Sequence, residues 1–442
     1  MADKKPWIVL LVALALVVLE GSIRKWVIGS EAGKWSYLAY FSKDIIFAVL
    51  LLLPVRQSPS PALKVFGHWL IPGCILLGIG AVISCVQGFN SVGAALTFRA
   101  TIFLPVVAWL AVTRLAGLPL RWVLWMLAIL TLLNFGLGTL QNRLPADHLV
   151  NRYVAETENI VAEASGTRAT GTFSYITGLA IVSSFGIWAG MALLSQARNK
   201  WDQMTGIAAI GAGFGCALAS ISRGPVVTGV AMVALWCLFP RAGLTVLSRS
   251  LVAGAGVVVL VISFGLTAVF SEMWSGVEAR HESGGDTFKE RVFGQLGETV
   301  VALKTAPQGN GFGTEQVGGN YALTGIKSFT NFETQLPRLV LETGALGLLG
   351  FAAICIGAIL ALQVAKHDAP DAGTNAMLLA TQLLLLPMFY MNVVFNHTAS
   401  AFAWIIFAAV LAASSARAIV PTLKPTKNRR SRHVVRRSSA AA

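Results

Sequence analysis

Charge is what this chain has least of. Only 12% of its 442 residues are Asp, Glu, Lys or Arg, whereas a soluble domain carries roughly a quarter. So little charge cannot clothe a water-soluble globule of this size, and it is the opposite of a disordered chain, which is rich in charge and poor in apolar residues. Cysteine is scarce as well. The five are Cys74, Cys85, Cys216, Cys237 and Cys355, all within or beside apolar stretches. An odd count without Cys-x-x-Cys or Cys/His spacing excludes a disulfide framework and gives no zinc site. His281, Glu282 and Asp286 stand close in sequence but lack helical or finger spacing, so no metal is expected. There is no Gly-Lys-Ser/Thr either, and Gly309-Asn310-Gly311-Phe312-Gly313 therefore reads as a tight turn rather than a nucleotide loop.

What fills the chain instead is apolar: 55% of residues are hydrophobic and the mean hydropathy is +0.69. About 20 such residues cross a bilayer as a helix, the conformation that satisfies its own backbone in hydrocarbon. Runs of this kind fall near 7–22, 38–54, 68–86, 95–113, 121–141, 173–195, 204–221, 225–239, 250–270, 339–364, 376–395 and 398–416. The expected fold class is therefore an all-α polytopic membrane protein with about 12 transmembrane helices. The first run is read as an uncleaved helix, because Ala13-Leu14-Ala15 lies inside it and not after it. Residues 1–420 form one transmembrane domain, and 421–442 form a basic tail expected to be disordered.

Twelve spans leave both termini on one side. That side carries nineteen basic and four acidic residues, against fifteen and sixteen on the other. The positive-inside rule then makes the termini cytoplasmic. The basic balance is thus mostly topogenic, and the tail is suited to anionic lipid rather than nucleic acid. The other face carries the longer loops, 20–37, 142–172 and above all 271–338, with a very tight turn at 222–224. Within the largest loop, Thr287 to Lys304 has apolar residues at Val292, Phe293, Leu296, Val300, Val301 and Leu303. That spacing predicts an amphipathic helix lying on the membrane or capping a cavity.

Basic residues on the outer face run against topology and need a reason. Arg24, Lys25, Arg168, Arg223, Arg291, Lys327 and Arg338 all fall there. Any one could snorkel to headgroups, but several converging guanidinium groups suit a diphosphate, whose oxygens match the planar donor fork. Arg99 lies four or five residues inside a span, facing a cavity or snorkelling upward. Arg223 sits in the sharpest local feature, Ala219-Ser220-Ile221-Ser222-Arg223-Gly224-Pro225, where Pro225 suits the opening of a helix. Gly211 and Gly215 before it permit close packing. Proton acceptors on this face are Glu333, Glu342, Glu290, His397 and His281, with Glu333 the preferred base because it precedes Arg338 by five residues at a helix mouth.

The stretch 207–358 resembles the O-antigen ligase and O-antigen polymerase superfamily of bacterial membrane glycosyltransferases. The likeness rests on Ser222-Arg223-Gly224, then Arg291 through Ala306-Pro307-Gln308-Gly309-Asn310-Gly311-Phe312-Gly313, then Leu339-Val340-Leu341-Glu342-Thr343-Gly344-Ala345-Leu346-Gly347-Leu348-Leu349-Gly350. Two further stretches, Glu20-Gly21-Ser22-Ile23-Arg24-Lys25-Trp26 and Thr170-Gly171-Thr172-Phe173-Ser174-Tyr175, look like those of exopolysaccharide members. Where family ligases place a His-Asn pair ahead of the Glu, this chain has Glu333-Thr334, nine residues before Glu342. That departure favours a polymerase or a divergent branch.

The resemblance implies an inner-membrane enzyme that moves glycan from a polyprenyl diphosphate (undecaprenyl diphosphate in bacteria) to an acceptor sugar hydroxyl at the periplasmic face, with inversion. No cofactor, metal or nucleotide is implied, since the donor is already activated. Arg223 and Arg291, with Arg338, Arg168, Arg24, Lys25 and Lys327 binding substrate, would hold the diphosphate, and Glu333 would take the proton. Implied partners are the lipid-linked donor, a glycan or lipid-core acceptor, membrane lipids and other polysaccharide assembly proteins. The alternatives are an O-antigen ligase acting on lipid A-core, a lipid-linked oligosaccharide flippase, and an envelope scaffold. A flippase predicts repeat symmetry and midplane polar residues, and a scaffold gives no reason for interfacial arginines beside a carboxylate.

Overall fold

The computed structural model describes residues 7–28, 34–115, 118–152, 162–163, 166–238, 288–316, 334–391 and 393–418. They are helical apart from connections and one two-residue antiparallel pair, Ala162–Glu163 with Gly166–Thr167. In chain order the helices are α1 (Trp7–Ser22), α2 (Lys34–Leu51), α3 (Pro61–Cys85), α4 (Ser91–Phe98), α5 (Leu104–Val112), α6 (Leu120–Arg143) and α7 (Ile176–Ser195). They continue with α8 (Lys200–Ala219), α9 (Arg223–Leu238), α10 (Phe288–Thr305), α11 (Gln335–His367), α12 (Ala372–Met391) and α13 (His397–Ala418). Two π-helical turns, Ile23–Ile28 after α1 and Arg99–Phe103 between α4 and α5, keep those segments continuous.

Polar caps mark where the apolar runs begin. Ser60 accepts from the Leu63 amide before Pro61, Asn90 from Gly93, Asn199 from Asp202, and Asn396 from Ala399. Each supplies an acceptor to an amide the helix cannot satisfy itself. Among the described residues, seven segments are long and apolar enough to cross a membrane: α3, the continuous run Ser91–Val112, α6, α7, α11, α12 and α13. Helices α1, α2, α8 and α9 occupy four more of the expected spans, and 250–270 lies outside the described residues. The sequence reads 20–37 as one loop, whereas α1 runs on through its π turn to Ile28. There Arg24 pairs with Glu20 one turn back, and Lys25 reaches Thr170 and Gly171.

Contacts between helix ends sort the polar residues into two groups. At one end the Arg56 amide donates to the Thr113 carbonyl, and Arg121 pairs with Asp202 at 2.8 Å. At the other, Asn90 and Phe312 are joined backbone to backbone, and the Ala169 amide meets the Ala219 carbonyl. That second end carries Arg24, Lys25, Arg168, Arg338 and the backbone of Arg223, the outer-face set of the sequence.

Helices α7 and α13 form the buried centre, and α3 turns Ile71, Ile75, Ile79 and Val82 outward. Small residues set the closest approaches. A Cβ on Gly80 of α3 would collide with the Thr343 carbonyl and with Gly347 of α11, the close packing that glycines allow between membrane helices. Gly215 takes the Phe135 ring of α6.

Helix α10 matches the amphipathic segment expected at 287–304, with a facing the pattern does not specify. Its polar Gln295 and Thr299 are buried, and Leu296, Val300 and Val301 are half exposed. Gln295 donates to the Tyr390 carbonyl at 2.9 Å, and Thr334, at the foot of α11, donates to Glu298 at 2.5 Å. Leu296, Val300 and Val301 are left facing outward, while Ala302, Leu303 and Ala306 pack against Val340 and Leu341 of α11.

Candidate functional site

The loop 166–175 is threaded over the helix ends and held rigidly. The side-chain Oε1 of Gln141 accepts from the Thr170 and Gly171 amides, at 3.0 and 2.7 Å. Asn134 accepts from the amide and the hydroxyl of Thr172. Gly171 has φ +58°, and a side chain there would strike Asn134.

Three of the cations that the sequence places on the outer face gather on this loop. Lys25 is fully buried and donates to the Thr170 hydroxyl at 3.0 Å and the Gly171 carbonyl at 2.7 Å. Burial lowers its pKa to about 7, because an ammonium loses its hydration there. Arg24, its neighbour, turns to Glu20 at 3.0 Å and the Ser174 hydroxyl at 3.3 Å. Arg168 donates through Nε to the Ser220 carbonyl at 3.3 Å. Next to Ser220, Ile221 holds φ +50°, a conformation that disfavours a β-branched residue. That strained turn leads directly into Arg223, the first residue of α9. Arg291 lies in the first turn of α10. The side chains of Arg223 and Arg291, and Glu333 and Lys327 entirely, lie outside the described residues, as do His281, Glu282 and Asp286.

A second polar group continues from the first across the bundle. Glu20 also accepts from Lys43, whose neighbour Asp44 pairs with Arg99 Nε at 2.7 Å. Arg99 begins the π turn after α4 and is only 5% exposed. Its Nη1 and Nη2 are buried and meet no acceptor. The charges of Arg99, Lys43 and Arg338 all act on His397 at the start of α13. Arg338 lies over the Phe395 ring at 4.1 Å and donates to the Glu315 carbonyl, while its Nε has no acceptor. Arg338 thus sits in this second group and not on the 166–175 loop.

Glu342 is fully buried. The Thr97 hydroxyl and the Glu315 amide (3.1 Å) donate to its two oxygens, and the Gln316 amide group donates to Thr97 at 2.8 Å. Burial raises the pKa of the Glu315 carboxyl, with Arg338 opposing. So occupied, Glu342 braces the segments that it joins.

The two glycine motifs noted separately in the sequence pack on each other. Gly344 interrupts α11 with φ +67°, and the Asn310 and Ala345 amides cross-link the segments to Leu341 and Pro307, at 2.6 and 2.9 Å. The Gly311 amide donates to Ser84 of α3. The glycines of 309–313 therefore make a close-packed turn against the membrane helices.

Glu20, Lys43, Asp44, Thr97 and Gln316 carried no assignment in the sequence reading. Their signal was there: Lys43-Asp44 and Arg99 are charges inside apolar spans, and such residues are expensive unless paired or used. Among the described residues no three His, Cys, Asp or Glu side chains come together as metal ligands. No family model and no curated protein sequence matches the chain.

Proposed function

We propose that this protein is a glycosyltransferase of the bacterial inner membrane, transferring glycan from a polyprenyl diphosphate to an acceptor sugar hydroxyl at the periplasmic face. The observation that carries the reading is the gathering of Arg24, Lys25 and Arg168 around one rigid loop beside the strained turn into Arg223. A diphosphate leaving group needs preorganised positive charge where its own charge develops, commonly the largest catalytic contribution and worth about 10²–10³ in rate per donor. A loop fixed by Gln141 and Asn134 and a turn fixed by Arg168 supply that preorganisation.

In the proposed reaction the acceptor hydroxyl oxygen attacks the anomeric carbon from the face opposite the diphosphate. The new glycosidic bond forms as the bond to the diphosphate oxygen breaks, and the configuration inverts. Arg223 and Arg291, supported by Arg168, Arg24 and Lys25, take the charge of the departing polyprenyl diphosphate. Glu333 receives the hydroxyl proton. The donor supplies the activated bond, so the reaction draws on no nucleotide or metal.

Polymerisation is favoured over ligation to lipid A-core by the Glu333-Thr334 pair. Deleting the gene and separating the surface glycan by size tests this. Loss of the polymer with single repeats remaining supports a polymerase. Full-length chains stranded on the carrier indicate a ligase, and repeats accumulating on the cytoplasmic side indicate a flippase.

A further inference from the structure

We infer that Glu315 and Arg338 form the subsite that holds the acceptor glycan, gripping neutral sugar hydroxyl groups at a place separate from the 166–175 loop. The inference rests on the glycosyl-transfer reading for the class of ligand, and on the geometry of the pair for the site. The diphosphate chemistry at the loop leaves Arg338 unused.

Arg338 donates through Nη2 to the Glu315 backbone carbonyl, and its guanidinium lies over the Phe395 ring at 4.1 Å. The Glu315 amide donates to Glu342 at 3.1 Å, and the next residue, Gln316, donates to Thr97 at 2.8 Å. The backbone of residue 315 is thus fixed at both its amide and its carbonyl, which leaves the side chain over. Its carboxyl Oε2 has no donor, and Nε of Arg338 has no acceptor. Buried polar groups are nearly always hydrogen-bonded, and charged ones left unmet are the costliest exceptions. These two orphans have opposite roles. A hydroxyl group donates and accepts at once, so one sugar hydroxyl, or two neighbouring ones, meets both. A phosphate or a carboxylate meets Arg338 alone and is repelled by Glu315, the like-charge contact that excludes a wrong partner. The pair therefore selects a neutral polyol over an anion. Glu315 and Arg338 are both partly exposed, whereas Thr97, Gln316 and Glu342 behind them are buried. They are the part of this polar group that a ligand can reach.

The test uses the purified full-length protein in nanodiscs. It is titrated calorimetrically with the producing cell's repeat-unit oligosaccharide, freed from its lipid carrier by mild acid, and separately with inorganic diphosphate. Saturable binding of the oligosaccharide is expected. Its affinity should fall about tenfold or more in Glu315→Ala and in Arg338→Lys, as the loss of a hydrogen bond to a charged group requires. It should stay unchanged in Arg56→Gln at the opposite end, and diphosphate affinity should be the same in every variant. Should Glu315→Ala and Arg338→Lys fail to fold, the oligosaccharide on the unaltered protein must protect Glu315 from carbodiimide coupling, read by mass spectrometry. No oligosaccharide binding, equal affinity in either folded variant, a parallel loss of diphosphate affinity, or absence of protection would overturn the subsite. Oligosaccharide binding that depends on the pair, in a protein that binds no diphosphate and transfers no glycan, would instead sink the proposed function and leave this subsite standing.

Discussion

Thr97 donates its hydroxyl to Glu342 across 245 residues of chain. This one bond ties the end of α4 to the kinked start of α11. It also sets the two residues that flank the polar group, because Arg99 follows Thr97 by two positions and Arg338 precedes Glu342 by four.

Thr97→Val should therefore destabilise the fold by about 1–3 kcal/mol, since a buried carboxyl oxygen loses its hydrogen-bond partner. Thermal unfolding in detergent reads the change. The same substitution made on Glu342→Gln should cost less, because residues sharing one hydrogen bond are not additive. Equal costs in both backgrounds would mean that the bond carries no energy.

Gly313→Ala should loosen the loop that bridges α3 and α4. Gly313 holds φ +82°, and a Cβ there would stand on the Ala94 amide. The left-handed backbone alone costs roughly 1–2 kcal/mol for a residue with a side chain. Hydrogen exchange at the Asn90 and Phe312 amides should accelerate, while exchange in α7 stays unchanged.

Lys25 gives the fold a pH dependence of definite sign. Its pKa in the folded protein is about 7, lowered by burial from 10.5. Between those values the unfolded chain binds the extra proton, so stability rises with pH across about 7 to 10.5. Lys25→Met should abolish that rise, measured as the difference in melting temperature between pH 7 and pH 10. An identical slope in the variant would place the titrating group elsewhere.

Arg223→Lys should impair glycan transfer while keeping the charge, because a point charge replaces a bidentate fork. Glu333→Gln should abolish turnover and leave donor binding largely intact. Polymer length on gels and donor retention by the purified variants separate the two effects. Near-normal polymer from both, at normal expression, would remove these residues from the mechanism.

The helices were legible in the sequence because each is a long apolar run, and α10 because its apolar residues repeat at helical spacing. The facing of α10 was not legible. In a membrane either side of such a helix can meet an apolar medium, and it is the Gln295 and Glu298 contacts that turn its polar side inward. Arg24, Lys25 and Arg168 were singled out in the sequence among seven cations expected on the outer face, because cations there oppose the topological rule. The pairing of Thr97 with Glu342, of Arg99 with Asp44 and of Lys43 with Glu20 was not, because hydropathy dilutes single charges and nothing local relates residues so far apart. Ser222-Arg223 was recognised as a sharp turn, but the strain at Ile221 exists only in the folded backbone.

The central claim is transfer from a lipid diphosphate with no other activator. Its most direct test supplies purified protein with a polyprenyl-diphosphate-linked oligosaccharide and acceptor in EDTA, without nucleotide, and follows glycan length together with released carrier. The account predicts lengthened glycan and an equal amount of free polyprenyl diphosphate. Transfer that appears only when a divalent cation or a nucleotide is restored would contradict it.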